Sequence, residues 1–191
     1  MTQQKIKIGF DMDGVLLENP SRVFRSLISR SKKAHLFPRK ELEFYHPQSA
    51  LAKWLWLLLH KSSFRLAPGF KELEKLYASK QLELFVVSAR FACLKSDTKN
   101  WVKRLNQNKI FSALYFNDQD EQPHFFKLRM IKQLELDYFI EDNWDVASYL
   151  ANEQNQTEVW WLSNLLDRSI SYPHKFFSFQ AVVTKIKDFL L

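Results

Sequence analysis

The stretch KIKIGFDMDGVL, residues 5–16, combines a strand with the polar residues that end it. Apolar side chains alternate from Lys5 to Phe10, which is the period of a β-strand, and the apolar run stops at Asp11. Asp13 and Gly14 follow at once, and a glycine lets the backbone turn tightly. We therefore predict a short buried strand that ends at Asp11 in a polar turn.

Strand and helix patterns alternate along the chain beyond this stretch. Leu82–Ser88, LELFVVS, is a continuous apolar run, as expected of a parallel strand covered on both faces. Further strands are predicted over Ala113–Phe116, Tyr138–Ile140 and Glu158–Leu162, and a closing helix over Phe179–Leu190. The alternation predicts an α/β fold, a Rossmann-like core in which a parallel sheet of about five strands carries helices on both faces.

Residues 18–65 interrupt this alternation because they contain helical patterns only. We predict that they form a helical cap inserted after the first strand, and that residues 1–17 and 66–191 form the α/β core. Within the cap, the run ALAKWLWLLLH at residues 50–60 is shorter than the roughly 20 apolar residues of a membrane span. We expect this run to be a helix buried against the core.

Composition indicates a globular chain and excludes several classes of protein. Of the 191 residues, 46% are hydrophobic and 26% are charged, which rules out a disordered chain. Cys93 is the one cysteine, so neither an internal disulfide nor a thiolate metal cluster can form. The N-terminal sequence lacks the apolar region of a secretion signal. A cytoplasmic location without membrane attachment is therefore expected.

The net charge of +7 can be assigned to one segment. Seven basic residues and no acid lie between Asn19 and Lys40, and the other Lys and Arg residues equal the 21 acids in number. The seven are Arg22, Arg25, Arg30, Lys32, Lys33, Arg39 and Lys40. This segment is either a solvated face, a rim that attracts a phosphorylated substrate, or a contact for nucleic acid.

Reactive side chains follow the predicted strands, at the edge where parallel sheets bind their ligands. They are Asp11 and Asp13 after the first strand, Ser88, Ala89 and Arg90 after the second, and Glu141 and Asp142 after the fourth. Lys127 begins the helix that precedes the fourth strand. Mg²⁺ prefers oxygen ligands, which Asp11, Asp142 and the carbonyl group of Asp13 can supply.

These residue types suit phosphoryl transfer. Beside a metal ion, the Asp11 carboxylate can attack phosphorus, and Asp13 can protonate the leaving oxygen and later activate water. Ser88 and Lys127 can hold the phosphoryl oxygens, with the lysine also balancing the negative charge of Asp11 and Asp142. The sequence thus predicts a phosphomonoesterase acting on a small phosphorylated substrate.

Four motifs resemble those of the haloacid dehalogenase (HAD) superfamily in order and spacing. They are DMDGVL at 11–16, VVSAR at 86–90, the lysine at 127 and YFIEDN at 138–143. The resemblance looks strongest to the five-prime nucleotidase-like branch with a small helical cap. It implies a Rossmann-like HAD core and a Mg²⁺-dependent phosphatase that forms an aspartyl-phosphate. It also implies that Asp11, Asp13, Ser88, Lys127 and Asp142 form the active site.

Several assignments stay open at this level. Either Glu141 or Asp142 could contact the metal, with Asp142 favoured, and Asp145 could contribute through water. Lys132 lies on the same predicted helix as Lys127 and is the alternative phosphate-binding lysine. Arg90 could contact a substrate phosphate or pair with an acidic side chain.

Two alternatives to hydrolysis also remain open. The same residues could transfer phosphate between sugar positions, as a phosphomutase does, if the cap excludes water. A nucleic-acid-associated protein, either an end-phosphatase or a non-catalytic binder, could instead use the basic segment at residues 22–40. Oligomeric state cannot be inferred from the sequence.

Overall fold

The computed structural model describes residues 5–19, 42–61, 63, 65–153 and 156–190. Eight strands lie in these ranges: β1 Ile6–Phe10, β2 Leu17–Glu18, β3 Arg65–Leu66, β4 Leu82–Ser88, β5 Phe111–Phe116, β6 Tyr138–Glu141, β7 Glu158–Leu162 and β8 Lys175–Phe176. The same ranges contain six α-helices: α1 Ala50–His60, α2 Phe70–Tyr77, α3 Lys95–Leu105, α4 Pro123–Leu134, α5 Trp144–Glu153 and α6 Phe179–Asp188.

Six of the strands form one parallel sheet in the order β5-β4-β1-β6-β7-β8. The predicted α/β fold with a parallel sheet is therefore confirmed, and the predicted bounds of β4 and β7 match the observed ones. The sheet has one strand more than expected. This additional strand, β8, has only two residues, which is too short to give a readable period.

Helices cover both faces of the sheet because the central strands carry apolar side chains on both faces. On β4, Leu84 and Val86 join the core cluster that contains residues of α2 and α6. Phe85 and Val87, which point the other way, join the cluster that contains residues of α4 and α5. Burial on both faces explains why β4 reads as an uninterrupted apolar run.

The chain changes direction within the sheet next to β1. From this central strand it runs to β4 and β5 on one side, and then returns to β6 and β7 on the other side. The connections after β1 and β6, which are hydrogen-bonded neighbours, therefore lead away in opposite directions. In open α/β sheets, a crevice for ligands opens at the carboxyl ends of such a pair of strands.

The sequence predicts a helix after β4 that Asp97 or Thr98 would cap, since acids and hydroxyl side chains favour that position, but the start of α3 differs from this prediction. A 3₁₀ turn over Ala92–Leu94 leads directly into α3, so that Leu94 occupies the capping position without a side-chain bond. Asp97 instead lies in the first turn, where its carboxylate accepts a hydrogen bond from Arg90. The capping prediction is wrong because the Asp97 carboxylate binds Arg90, which follows β4, instead of a backbone N–H group of the helix.

A short antiparallel pair, β2 with β3, lies at the two ends of the predicted cap insertion. Arg65 on β3 forms an ion pair with Glu18 on β2. Between these strands the structure describes α1, but the predicted helical pattern near Leu27 and the basic segment at residues 22–40 lie outside the described residues. The extent of the cap therefore stays a prediction.

The expected burial of α1 against the core is wrong. His60 is the one buried residue of this helix, Trp56 and Leu57 are half-buried, and its other large apolar side chains are exposed. They are Leu51, Trp54, Leu55, Leu58 and Leu59. The sequence of α1 is apolar on most of its circumference, so its pattern could not indicate which side faces the core. In the part of the chain that the structure describes, no helix is both long and apolar enough to cross a membrane.

Candidate active site

Asp11 lies directly after β1, and the buried ammonium group of Lys127 lies between its carboxylate and that of Glu141. Its backbone N–H donates a hydrogen bond to the carbonyl oxygen of Ile140 at 2.9 Å, which fixes the end of β1 against β6. Its carboxylate Oδ1 is 3.1 Å from Nζ of Lys127, and the same ammonium group donates to Oε2 of Glu141 at 2.6 Å. All three side chains are at least nine-tenths buried. Lys127 therefore links the acids at the ends of the two central strands.

The crowding of acids changes the protonation behaviour of Asp11. Burial raises its pKa; Lys127 opposes this effect, and the nearby carboxylates Glu141 and Asp142 raise the pKa further. Burial alone would lower the pKa of Lys127, but Asp11 and Glu141 raise it above its ordinary value. Lys127 thus stays charged. Without an additional cation, Asp11 retains its proton to a pH well above that at which an aspartic acid ordinarily ionises.

We expect divalent metal binding at this cluster to become tighter as the pH rises through the raised pKa of Asp11. Ionisation of Asp11 must accompany metal coordination, so binding releases a proton below this pKa and releases none from Asp11 above it. The apparent Kd should fall about 10-fold per pH unit in the lower range. Isothermal titration calorimetry of Mg²⁺ in buffers of different ionisation enthalpy measures the proton release, and a pH-independent Kd would contradict this expectation.

Three acids meet closely enough to hold a metal ion. One carboxylate oxygen from each of Asp11, Glu141 and Asp142 lies within 4.8 Å of the others. In Glu141, Oε2 accepts from Lys127 and Oε1 accepts from the backbone N–H of Asn143 at 3.0 Å. An all-oxygen donor set beside a single lysine fits Mg²⁺ in both ligand type and charge. The hydrogen bonds of Glu141 favour Asp142 as the direct ligand from this pair of acids.

Gly14 makes the close approach of the Asp11–Gly14 turn to Asp142 possible. It adopts a φ of +81°, and a Cβ atom at this position would lie 2.2 Å from Oδ2 of Asp142. Gly14 also donates its backbone N–H to the carbonyl oxygen of Leu17 at 2.8 Å, which closes the turn. The sequence prediction of a tight glycine turn is confirmed. Glycine is needed here both for the positive φ and for the close contact with the Asp142 carboxylate.

Gly14→Ala is expected to displace Asp142 and to weaken Mg²⁺ binding at least about 10-fold. The left-handed backbone should cost a further 1 kcal/mol or so in the free energy of unfolding. Calorimetric Mg²⁺ titration and urea denaturation measure the two effects separately. A variant with lower stability but wild-type Mg²⁺ affinity would contradict the proposed contact between turn and ligand.

Asp13 is held by an arginine and a serine rather than facing solvent. Arg90 donates from Nε to Oδ2 at 2.6 Å and from Nη2 to Oδ1 at 2.7 Å, and the hydroxyl group of Ser63 donates to Oδ1 at 2.7 Å. Burial alone would raise the pKa of Asp13, but these partners, and the charge of nearby His60, hold the pKa well below its usual range. Asp13 is therefore a fixed carboxylate at neutral pH.

Of the remaining predicted site residues, Ser88 and Ala89 lie at the end of β4, and Asp145 and Lys132 lie outside the acidic cluster. Ser88 ends β4 and is 1% exposed, with no hydrogen-bond partner for its hydroxyl group among the described residues; Ala89 follows it, half-buried. Asp145 lies in the first turn of α5, outside the three-acid group found in the described part of the chain. Lys132 is exposed on α4. Of the two candidate lysines, only Lys127 is brought to the acids.

Sequence reasoning missed two residues at this site, Ser63 and His60. His60 is the last residue of α1 and Ser63 follows it, and both approach Asp13 from the predicted cap. His60 is buried, and its Nδ1 lies 2.9 Å from the carbonyl oxygen of Trp56. Without metal-like spacing to other ligands, His60 and His124 are predicted from the sequence to be surface or loop histidines, and this prediction is wrong, since both are at most 5% exposed. A lone serine or histidine has no sequence signal for such a contact, because the contact crosses about 50 residues.

The sheet order, with acids at the switch between β1 and β6 and a lysine on the helix before β6, is that of a Rossmann-like α/β fold. No family model matches the chain, and no curated protein sequence matches it either. Solved structures named as HAD hydrolases, β-phosphoglucomutases and a phosphoglycolate phosphatase do share its fold, at identities low enough that the similarity concerns the fold alone.

Three of these structures show the extent of the similarity. One from Bacteroides vulgatus, named as a β-phosphoglucomutase, has a TM-score of 0.60 at 15% identity, covering 97% of this chain and 88% of its own. A magnesium-bound HAD-hydrolase from Bacillus subtilis has a TM-score of 0.59 at 11% identity, covering 96% and 99%. A phosphoglycolate phosphatase from Haemophilus somnus has a TM-score of 0.53 at 16% identity, covering 97% and 99%.

Proposed function

We propose that this protein is a magnesium-dependent phosphatase that hydrolyses a phosphomonoester through an aspartyl-phosphate on Asp11. The observation that carries the proposal is the cluster of Asp11, Lys127, Glu141 and Asp142 at the carboxyl ends of β1 and β6. Phosphoryl transfer needs such a cluster, in which a carboxylate nucleophile, a fixed cation and oxygen ligands for a metal lie together. The HAD fold of the chain is consistent with this chemistry.

The charges of the cluster support a resident cation. Asp11, Glu141 and Asp142 face one ammonium group, that of Lys127, so an approaching phosphate dianion would meet net negative charge. Asp11 and Asp142 would hold Mg²⁺, together with the carbonyl oxygen of Asp13. Bound there, Mg²⁺ would neutralise this charge and orient the phosphoryl oxygens towards the nucleophile.

The remaining steps belong to the side chains. An Asp11 carboxylate oxygen attacks phosphorus as the bond to the leaving oxygen breaks, and this oxygen takes a proton from Asp13. Water then attacks the aspartyl-phosphate and gives a proton to Asp13. This hydrolysis releases phosphate and regenerates the Asp11 carboxylate. The Ser88 hydroxyl, the Ala89 backbone N–H and the Lys127 ammonium group hold the other phosphoryl oxygens.

The two half-reactions need Asp13 in different protonation states. As a carboxylate paired with Arg90, it is prepared to accept the proton of the attacking water. Before it can donate to a leaving oxygen, it must take up a proton when substrate binds. The Ser63 hydroxyl group, which donates to Oδ1 and comes from the predicted cap, is the contact that substrate entry would most directly change.

A phosphate-release assay tests the proposal. The substrates are p-nitrophenyl phosphate and a panel of nucleotides, sugar phosphates and DNA with terminal phosphates, each assayed with Mg²⁺ and with EDTA. We expect Mg²⁺-dependent release of phosphate from at least one member, a nucleotide or another small phosphorylated metabolite. Absence of turnover across this panel and several divalent metals would exclude the proposal.

The panel also separates the alternatives. Phosphomutase activity, which the names of some similar structures suggest, would convert a sugar phosphate into its isomer without releasing phosphate. Activity restricted to DNA ends would favour a nucleic-acid enzyme whose basic residues 22–40 contact the phosphate backbone. Oligonucleotide binding with a steep salt dependence and no turnover would favour the non-catalytic alternative. The proposed enzyme acts in the cytoplasm.

A further inference from the structure

Arg90 links two acids that come from different parts of the fold. It lies two residues after the end of β4, and its side chain is 2% exposed. Nε and Nη2 bind both oxygens of Asp13, and Nη1 donates to Oδ2 of Asp97 at 2.7 Å. Three nitrogens of one guanidinium group thus donate at 2.6 to 2.7 Å, to one acid of the active site and one acid outside it.

This geometry fixes the plane of the Asp13 carboxylate. A two-point arginine–carboxylate pair has directional as well as electrostatic preference, since the two N–H groups match the two oxygens. Asp97 holds the third nitrogen from the first turn of α3, so the guanidinium group cannot turn about its own axis without losing a bond. Asp13 is consequently oriented by the start of α3 as well as by its own turn.

The same bonds argue against Arg90 as a substrate ligand. A phosphate contact would need at least one guanidinium edge that is open to the site, but the side chain is almost fully buried and three of its nitrogens are already engaged. Ser88 and Lys127 have more suitable positions for the phosphoryl group, because the Ser88 hydroxyl has no partner among the described residues and Lys127 contacts Asp11.

We propose that Arg90 and Asp97 are positioning residues that orient Asp13 for proton transfer, and that Arg90 does not bind the substrate phosphate. This inference rests on the proposed phosphatase function, in which Asp13 moves the proton of the leaving group and of water. It adds Asp97, which lies on a helix outside the metal cluster, to the residues on which turnover depends.

Substrates with different leaving groups provide the kinetic test. Asp97→Asn keeps the size of the side chain but removes the charge that anchors Nη1. The quantity kcat/KM reports the steps up to leaving-group departure, where p-nitrophenolate needs little protonation and an alkoxide needs much. We expect Asp97→Asn to lower kcat/KM about 10-fold for the best alkyl phosphate and less than about 2-fold for p-nitrophenyl phosphate.

The control is Asp118→Asn, which removes another acid that pairs with α3, through an exposed contact with Lys95 at 3.6 Å. It should leave both values unchanged. Restoration of the alkyl phosphate rate by Asp97→Glu would support an orienting role for the charge. Equal losses for both substrates in Asp97→Asn, or a loss confined to KM, would overturn the proposal in favour of general structural support or phosphate binding.

A structural test does not depend on turnover. In crystal structures of Arg90→Lys and Asp97→Asn we expect the Asp13 carboxylate to leave its present orientation or to occupy more than one rotamer, because lysine cannot bind both oxygens in one plane. If Arg90→Lys does not fold, the milder Asp97→Asn decides. An unchanged Asp13 in Asp97→Asn would overturn the positioning role, whereas an inactive wild type would exclude only the phosphatase function.

Discussion

Asp11→Asn is expected to reduce Mg²⁺-dependent phosphate release by a factor on the order of 10⁴. The amide is a poor nucleophile towards phosphorus and a weaker metal ligand than a carboxylate, so one substitution removes both functions of Asp11. Initial rates with saturating Mg²⁺ and p-nitrophenyl phosphate, compared with wild type, measure the loss. Acid-quenched protein from wild type should carry acid-stable, hydroxylamine-sensitive phosphate, and the variant should carry none.

The same variant should fold at least as stably as wild type in the absence of metal. Burial and the nearby acids already disfavour the charged form of Asp11, so a neutral amide relieves repulsion with Glu141 and Asp142. Urea denaturation in EDTA measures this effect, with Asp118→Asn as a control for loss of an exposed acid. Residual activity above about 10% of wild type in a folded Asp11→Asn protein would contradict the nucleophile assignment.

The core of the fold could be predicted because its elements carry local signals. β4 is buried on both faces, so its sequence is a continuous apolar run, and β7 behaves in the same way. β2, β3 and β8 have two residues each and depend on their partners rather than on any period. Helix α5 follows Asp142 without a clear break in the sequence, because the motif that ends β6 also begins this helix.

The meeting of the three acids at the candidate site could also be predicted from the sequence. Asp11, Glu141 and Asp142 each follow or end a parallel strand, and the carboxyl ends of adjacent parallel strands meet at one edge. Topology alone therefore brings these acids together. The sequence names Lys127, with Lys132 as the alternative, and the structure distinguishes the two. They lie five residues apart on α4 and face different surroundings, since Lys127 is buried beside the acids and Lys132 is exposed.

The environment of Asp13 could not be predicted, and this difference has a physical cause. Its partners, Ser63 and Arg90, lie 50 and 77 residues away. Ser63 lies outside the parallel sheet, and although Arg90 follows β4, the neighbour of β1, strand order does not determine which group its side chain binds. The sequence left Arg90 open between a substrate phosphate and an acid because arginine suits both. Long-range side-chain pairing of this kind lowers the pKa of Asp13. Neither the composition nor the spacing of motifs in the sequence encodes such pairing.

Lys127→Met is expected to abolish detectable turnover and to lower the free energy of unfolding by about 3 to 5 kcal/mol, because it leaves two buried carboxyl groups without their shared cation. Methionine has a similar length and no charge, so the packing of α4 is largely kept. Urea denaturation in EDTA measures the stability loss. Lys132→Met, which removes an exposed lysine from the same helix, is the matched control and should change both quantities little.

The pH dependence of this loss distinguishes charge from packing. Without Lys127, the folded-state pKa values of Asp11 and Glu141 rise further above those of the unfolded chain, so the folded variant binds more protons than wild type. An acid with a raised pKa destabilises the fold increasingly as pH rises from its unfolded pKa to its folded pKa. Variant and wild type differ only above the wild-type folded pKa values, where wild type has ionised these acids and the variant has not; for Asp11 this pKa is about 8. The difference in unfolding free energy between Lys127→Met and wild type should therefore be smallest in acid and grow as the pH rises through about 8. A difference that is constant with pH would indicate lost packing and would contradict the role of Lys127 as the cation that holds these acids together.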